Sequence, residues 1–404
     1  MESNDILKSK SFLRLKDTLS SSLSRLSINN LVNSLYSFTI TKDQDRELLI
    51  KLVTECEKRL KDFNARDLST FSWSLATLDY RSIGTMDAIA RQSQLKINSF
   101  NFTDASNLVW SFAKLSCESE QLLKSLDSFF VSNIASIPSR YVPKILWSYA
   151  KLRFSSSNFI TVSSEKLLTD IHSLSPQQVS MVIWSHGRLA LFSNGDLYRL
   201  VESLVNKNID DYDSRNLSNV LWGMSRICHQ PSSQLLDSSI QHFQRNQNLY
   251  SSQSAINLVW SFAFFELNKS CAFNKGKLVE IFTNHYMANK HLYKPSELTT
   301  SLWSLTKLGF GNSSIFSDLV IHIGKHMDSL TPQNLSTTLV SISMSRFRDE
   351  LIIQKLVAKL KPHIYVLEDP MITQLCKSLQ VIDVKDTQIL QSLFDKVKLS
   401  NLKD

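Results

Sequence analysis

Apolar residues recur along most of this chain at helical spacing. Around Trp147, residues Val142, Ile145, Leu146, Tyr149 and Leu152 stand at −5, −2, −1, +2 and +5, one broad helical stripe. The same phase returns in Val109-Trp110-Ser111-Phe112-Ala113-Lys114-Leu115 and in Leu302-Trp303-Ser304-Leu305-Thr306-Lys307-Leu308. All seven tryptophans (Trp73, Trp110, Trp147, Trp184, Trp222, Trp260 and Trp303) occupy the same place, at steps of 37, 37, 37, 38, 38 and 43 residues. Extending the step lands on Tyr36, Val340 and Cys376, which makes ten copies with degenerate ends.

Each copy reads as a helix pair. Helix A is predicted from about eight residues before the anchor to about five after it. A cap-forming side chain stands at −9 in Ser27, Asn64, Asn101, Ser175, Asp213, Ser251 and Thr331. In Ser175-Pro176 and Thr331-Pro332 proline follows in the first helical position. Position +3 is small in Ala76, Ala113, Ala150, Gly187 and Ala263, which lets neighbouring helices approach. Helix B is a looser apolar stretch, as in 48–60, 122–134 and 197–205. The expected fold is all-α, a right-handed α-α superhelix (α-solenoid) of about ten 37–38-residue helix-pair repeats. The array covers 27–398 as one solenoid domain, and 399–404 form a tail. The long step before Trp303 places a loop insertion in 266–294. Residues 1–26, basic and serine-rich with apolar Leu13, Leu15 and Leu19 but also Glu2, Asp5 and Asp17, read either as an N-terminal capping helix or as a transit peptide.

Composition changes this picture little. Eight glycines and eight prolines among 404 residues suit long helices joined by short turns. Lys plus Arg exceed Asp plus Glu by 45 to 37, a formal charge of +8 that permits an anionic partner. Five scattered cysteines without a CxxC pair indicate a reducing compartment. No apolar run reaches the roughly 20 residues of a membrane span. Neither GxxxxGK[ST] nor GxGxxG is present. His322 and His326 lack a third ligand, and Cys228-His229 lacks an acid nearby in sequence. The expectation is therefore a non-enzyme with no cofactor, no metal, no membrane and no small-molecule substrate.

The apolar neighbours of the tryptophans favour buried anchors between layers over base-stacking platforms. Positions −3, +1 and +4 share a face of helix A. Lys114, Lys151, Arg188, Arg226 and Lys307 are candidate phosphate contacts. Asn107, Ser111, Lys144, Ser148, Asn219, Asn257, Thr300 and Ser304 are candidate base-facing residues. Position −6 (Asp67, Asp104, Gln178, Asn216, Glu297, Asn334) is read as continuing that face. In a stack of such units the face becomes a strip of hydroxyls, amides and cations suited to single-stranded RNA. The competing reading is a protein–protein scaffold of the armadillo or HEAT kind.

Repeats of this length with a Leu/Val-Trp-Ser/Ala-x-Ala-Lys-Leu core resemble the heptatricopeptide and octotricopeptide repeat families and their FAST-kinase-like relatives, over about 27–398. The resemblance implies a paired-helix solenoid that binds RNA or rRNA fragments in mitochondria, or in another organelle such as a plastid. It would act in RNA stability or processing, or as a mitochondrial ribosome component or assembly factor with ribosomal proteins as further partners. The RAP module that ends many such proteins finds no counterpart in these repeats, which removes any family argument for cleavage.

Overall fold

The computed structural model of the chain describes residues 10–41, 45–155, 157–192, 194–268, 272–345, 347–384 and 387–400. Residues 1–9 of the N-terminal segment, 269–271 of the proposed insertion and 401–404 of the tail lie outside the described residues. Twenty-one α-helices and short 3₁₀ turns, with no strand among the described residues, confirm an all-α helical-repeat solenoid. The chain divides into two compact units, Met1–Val201 and Glu202–Asp404.

In the first unit α1 (Lys10–Ser22) precedes five A/B helix pairs. They are α2 (Ile28–Thr41) with α3 (Arg46–Lys58), α4 (Ala65–Thr77) with α5 (Ile83–Leu95), and α6 (Phe102–Leu115) with α7 (Glu120–Ser132). The fourth is α8 (Val142–Lys151) with α9 (Asn158–Asp170), and the fifth is α10 (Pro176–Leu189) with α11 (Gly195–Lys207), inside which the division falls. The second unit has α12 (Ser214–Arg226) with α13 (Ser233–Arg245), α14 (Ser252–Leu267) with α15 (Lys275–Asn289), and α16 (Pro295–Leu308) with α17 (Ser314–Lys325). It ends with α18 (Pro332–Met344), α19 (Glu350–Leu360), α20 (Asp369–Val381) and α21 (Thr387–Ser400). Helix α6 runs from −8 to +5 about Trp110, as the periodicity predicts.

Both ends of helix A are set by sequence-local chemistry. Asn64, Asn101, Ser175, Asp213, Ser251 and Thr331 each accept the backbone N–H three residues on, and the Asn30 N–H reaches Ser27 Oγ at 3.2 Å. The far end closes at position +6 in a left-handed residue: Asp79, Ser116, Arg153, Ala190, Cys228 or Gly309, at φ from 52° to 92°. The next N–H returns to the carbonyl five residues back, for example Cys117 to Phe112 at 3.0 Å and Phe310 to Leu305 at 2.8 Å. Only Gly309 adopts this turn without a Cβ penalty. Helix α14 lacks the stop and continues to Leu267, immediately before the longer connection at the expected insertion.

Packing repeats from pair to pair. Within each unit every helix A lies against the helix A before and after it. Val109, Phe112, Tyr149, Leu221, Phe262 and Leu305 are buried between the A and B layers. Ala76, Ala113, Ala150, Gly187 and Ala263 are buried where helices A abut. Helices B are joined by side chains of the preceding repeat. Asp127 at α7 accepts the N–H groups of Asn158 and Phe159, at 3.1 and 3.3 Å, at the start of α9. Helix α1 packs on α3, with Lys16 Nζ 2.8 Å from Asp45. No described helix is long and apolar enough to cross a membrane.

Candidate nucleic-acid interface

The angular positions on helix A decide what it shows. At about 100° per residue, the apolar set at −5, −2, −1, +2 and +5 centres roughly 200° from the anchor, almost opposite to it. Accordingly the core takes those residues, while Trp73, Trp110, Trp147, Trp184, Trp222, Trp260 and Trp303 are all only half-buried. Their expected burial as anchors is overturned. The signal was in the sequence: the rings belong with positions −3, +4 and −7, which lie about 20–60° from them on the helix wheel.

The tryptophans share one face of the helices A in each unit, and in the second unit their rings follow one another in a row. In the first, Tyr36 and Trp73 have ring centroids 5.4 Å apart. In the second, Trp222, Trp260 and Trp303 follow one another at 6.4 and 6.2 Å, and Phe264 stacks on Trp260 at 5.6 Å. Cations lie over the rings: Lys144 Nζ 5.2 Å from the Trp110 centroid, Lys151 5.8 Å from Trp147 and Lys307 5.7 Å from Trp303. Burial beside the ring pulls Lys144 down to about 8 and lowers Lys307 from the usual lysine range.

The five proposed phosphate contacts all reach this face. Lys114, Lys151, Arg188 and Arg226 are exposed, and Lys307 is half-buried, its Nζ 3.5 Å from Met344 Sδ. Among the described residues none of the five enters an ion pair, whereas lysines and arginines on helices B do, as in Lys124 with Glu120 at 2.7 Å. Position −7 extends the row with Arg66, Thr103, Arg140 and Gln177 in the first unit and Arg215, Gln253 and Ser296 in the second, every one exposed. Reading the face from −3, +1 and +4 missed them, because +1 sits at its edge and pulls the apparent centre away.

The base-facing candidates divide. Asn107, Asn219, Asn257 and Thr300 are half-exposed on the face. Lys144 is half-buried, and its Nζ donates to Asn107 Oδ1 at 2.5 Å, so it ties two repeats together across Trp110. Ser111, Ser148 and Ser304 are fully buried and cannot meet a ligand. At about 100° from the tryptophan they point toward the neighbouring helix A. Their hydroxyls donate to the carbonyls of Asn107, Lys144 and Thr300 at 2.7, 2.8 and 2.8 Å. Position −6 is likewise structural. Asp67 and Gln178 complete capping boxes with Asn64 and Ser175, and Glu297 accepts the Lys294 N–H at 2.8 Å.

Of the set-aside histidines, His229 and His322 are absorbed into packing and His326 stays exposed. His229 Nε2 lies 2.7 Å from Glu202, whose other oxygen accepts the Ser232 N–H at 2.6 Å. The acid missing from the local sequence comes from the preceding repeat and caps α13. His322 Nδ1 is 3.0 Å from the Tyr286 hydroxyl. Among the described residues no cluster of three or more His, Cys, Asp or Glu is arranged to hold a metal.

Residues 15–195, less than half of the chain and all within the first unit, match the model of a family described as RNA-editing substrate-binding complex 6 protein. The match points to an RNA-associated helical family. No curated protein matches the chain.

Proposed function

We propose that the chain binds single-stranded RNA on the helix A face of its repeats and works in mitochondrial RNA editing or processing by holding RNA rather than by catalysing a reaction. The observation that carries this reading is the set of half-buried tryptophans on the helix A face, with cations that enter no ion pair beside and above them. Indole faces stack on bases of any sequence, and cations at repeat spacing neutralise phosphates. Amides on the same face offer hydrogen bonds to base edges. The family description adds the RNA-editing context and favours that setting over a ribosomal one. Kinship with the heptatricopeptide and octotricopeptide repeats belongs to the same proposal, supported by the shared anchor motif and the paired helices.

Salt dependence tests the reading. With about five phosphates neutralised, the log–log slope of affinity for a single-stranded RNA against salt should be near −3 to −4. Affinity that does not weaken between low and moderate salt would reject the face as an RNA site and favour a protein-binding scaffold.

A further inference from the structure

The second unit carries a cavity of about 240 Å³ on the helix A face, between α12, α14 and α16. Trp222 and Trp260 line it, together with the polar groups of Gln253, Asn257, Glu297 and Thr300. Two of these groups are already oriented by the protein. Gln253 Nε2 donates to Asn257 Oδ1 at 2.8 Å, which leaves the Asn257 amide protons and the Gln253 carbonyl oxygen for an incoming partner. Glu297 is 5% exposed, and one carboxylate oxygen is held by the Lys294 N–H while the other remains as an acceptor.

We propose that this cavity is a base-specific subsite that takes one guanine of a bound RNA. The inference rests on the RNA-binding reading above and adds to it which base is read, and where. Beside aromatic surface the protein offers three groups to be met: the Asn257 amide protons as donors, and the Gln253 carbonyl and the free Glu297 oxygen as acceptors. The complementary edge has one acceptor and two donors. Guanine has O6, N1–H and N2–H₂ on its pairing edge. Uracil and cytosine each carry two acceptors and one donor there, and adenine one of each, so all three would leave a protein acceptor unmet. For Glu297, which is buried, an unmet acceptor costs more than the bond it replaces is worth.

The test uses the full chain and a set of uridine oligonucleotides that carry, at one central position, guanosine, inosine, adenosine or no substitution. Binding is read by fluorescence anisotropy, and free guanosine and uridine monophosphates are titrated in parallel by tryptophan quenching. The guanosine oligonucleotide should bind roughly tenfold more tightly than the all-uridine one, with inosine (which lacks the N2 amino group) in between. Glu297→Gln keeps the cap on Lys294 but replaces a pure acceptor, so the guanosine-to-inosine ratio should fall toward one; melting by circular dichroism checks that the variant is folded. Equal affinity for all four oligonucleotides overturns the subsite and leaves RNA binding standing. Selective binding of guanosine monophosphate without any oligonucleotide binding would keep the subsite and reject the RNA face. If neither ligand type binds, both readings fall.

Discussion

The two units repeat one helix pair but dress its open face differently. In the first, that face holds Arg66, Lys114, Arg140, Lys144, Lys151 and Arg188 around four tryptophans. In the second, Arg215, Arg226 and Lys307 remain, Phe264 and Met344 take two of the +4 positions, and a polar-lined cavity opens beside Trp222 and Trp260. Beneath the face the tryptophan-bearing repeats of both units bury the same positions: −5, −2, −1 and +2 in the core, and +1 and +3 between helices A, with Thr306 alone half-buried at +3. Because folding uses those positions, the ones around the tryptophan are free to vary in charge without disturbing the stack. The first unit suits phosphate contact along a strand. On the proposed RNA-binding reading, the second suits recognition of a single base.

The largest effect expected is on stability, and it tests the division between core and face. Phe112→Ala, a ring 1% exposed, should destabilise by about 3–5 kcal/mol, whereas Trp110→Ala, two residues before it, should cost only ~1–2 kcal/mol and weaken RNA binding more. Chemical denaturation of both variants beside RNA titrations gives the comparison; equal stability losses would return Trp110 to the core.

Next come the cations. Lys114, Lys151 and Arg188 changed together to Ala should lower RNA affinity about tenfold or more and make the salt slope shallower by about 2, while Arg226→Ala with Lys307→Ala should change it by about 1.4. A larger effect from the second pair would invert the proposed division of labour. Lys144 adds a pH signature. With its free-state value at about 8, affinity should fall between pH 7 and 9, and Lys144→Arg, which stays charged there, should flatten that fall. A pH profile identical in both proteins would remove Lys144 from the interface.

The units also differ in how they bury histidine. His186 in the first unit bonds Tyr198 through Nδ1 at 3.2 Å, and its Nε2 has no partner; full burial pulls it down to about 4. In the second unit His242 bonds the Tyr250 hydroxyl and the Tyr212 carbonyl, both at 2.9 Å, and His285 repeats the pattern with Tyr293 and Tyr250 at 2.7 and 2.9 Å. A histidine depressed on folding contributes stability that is complete above the unfolded value near 6.5 and is lost as pH falls toward the folded one. Unfolding free energy should therefore drop below pH 6.5 by up to ~1.4 kcal/mol per pH unit for His186, and His186→Phe should reduce the dependence. Denaturant titrations between pH 7 and 5 measure it, and an unchanged dependence in the variant would clear His186.

The smallest effect concerns the buried hydroxyls. Ser148→Ala removes one bond to the Lys144 carbonyl and should change stability by about 0.5–1.5 kcal/mol at most, with RNA affinity unmoved. A clear loss of affinity in a stable Ser148→Ala protein would put that row back on the face.

Much of the architecture was legible in the residues themselves. Caps at −9, small residues at +3 and the spacing of tryptophan are set within one repeat by local hydrogen bonding and helical period, and most helices A follow them; α8, α16 and α20 begin without a capping side chain at −9. Even the exposure of the tryptophans follows from their angle to the apolar stripe, although indole's size and its Leu or Val neighbours argue for burial until the angle is measured. What only the tertiary structure decided lies between repeats. Whether the +1 serine meets solvent or a neighbouring helix depends on where the next helix A packs. That Glu202 caps the turn at His229 and that Lys144 spans Trp110 to reach Asn107 are contacts between residues 27 and 37 positions apart, and Glu297 comes from the repeat after Gln253 and Asn257 to line their cavity. No single repeat encodes them, because each partner is supplied by the stacking of one helix pair on the next.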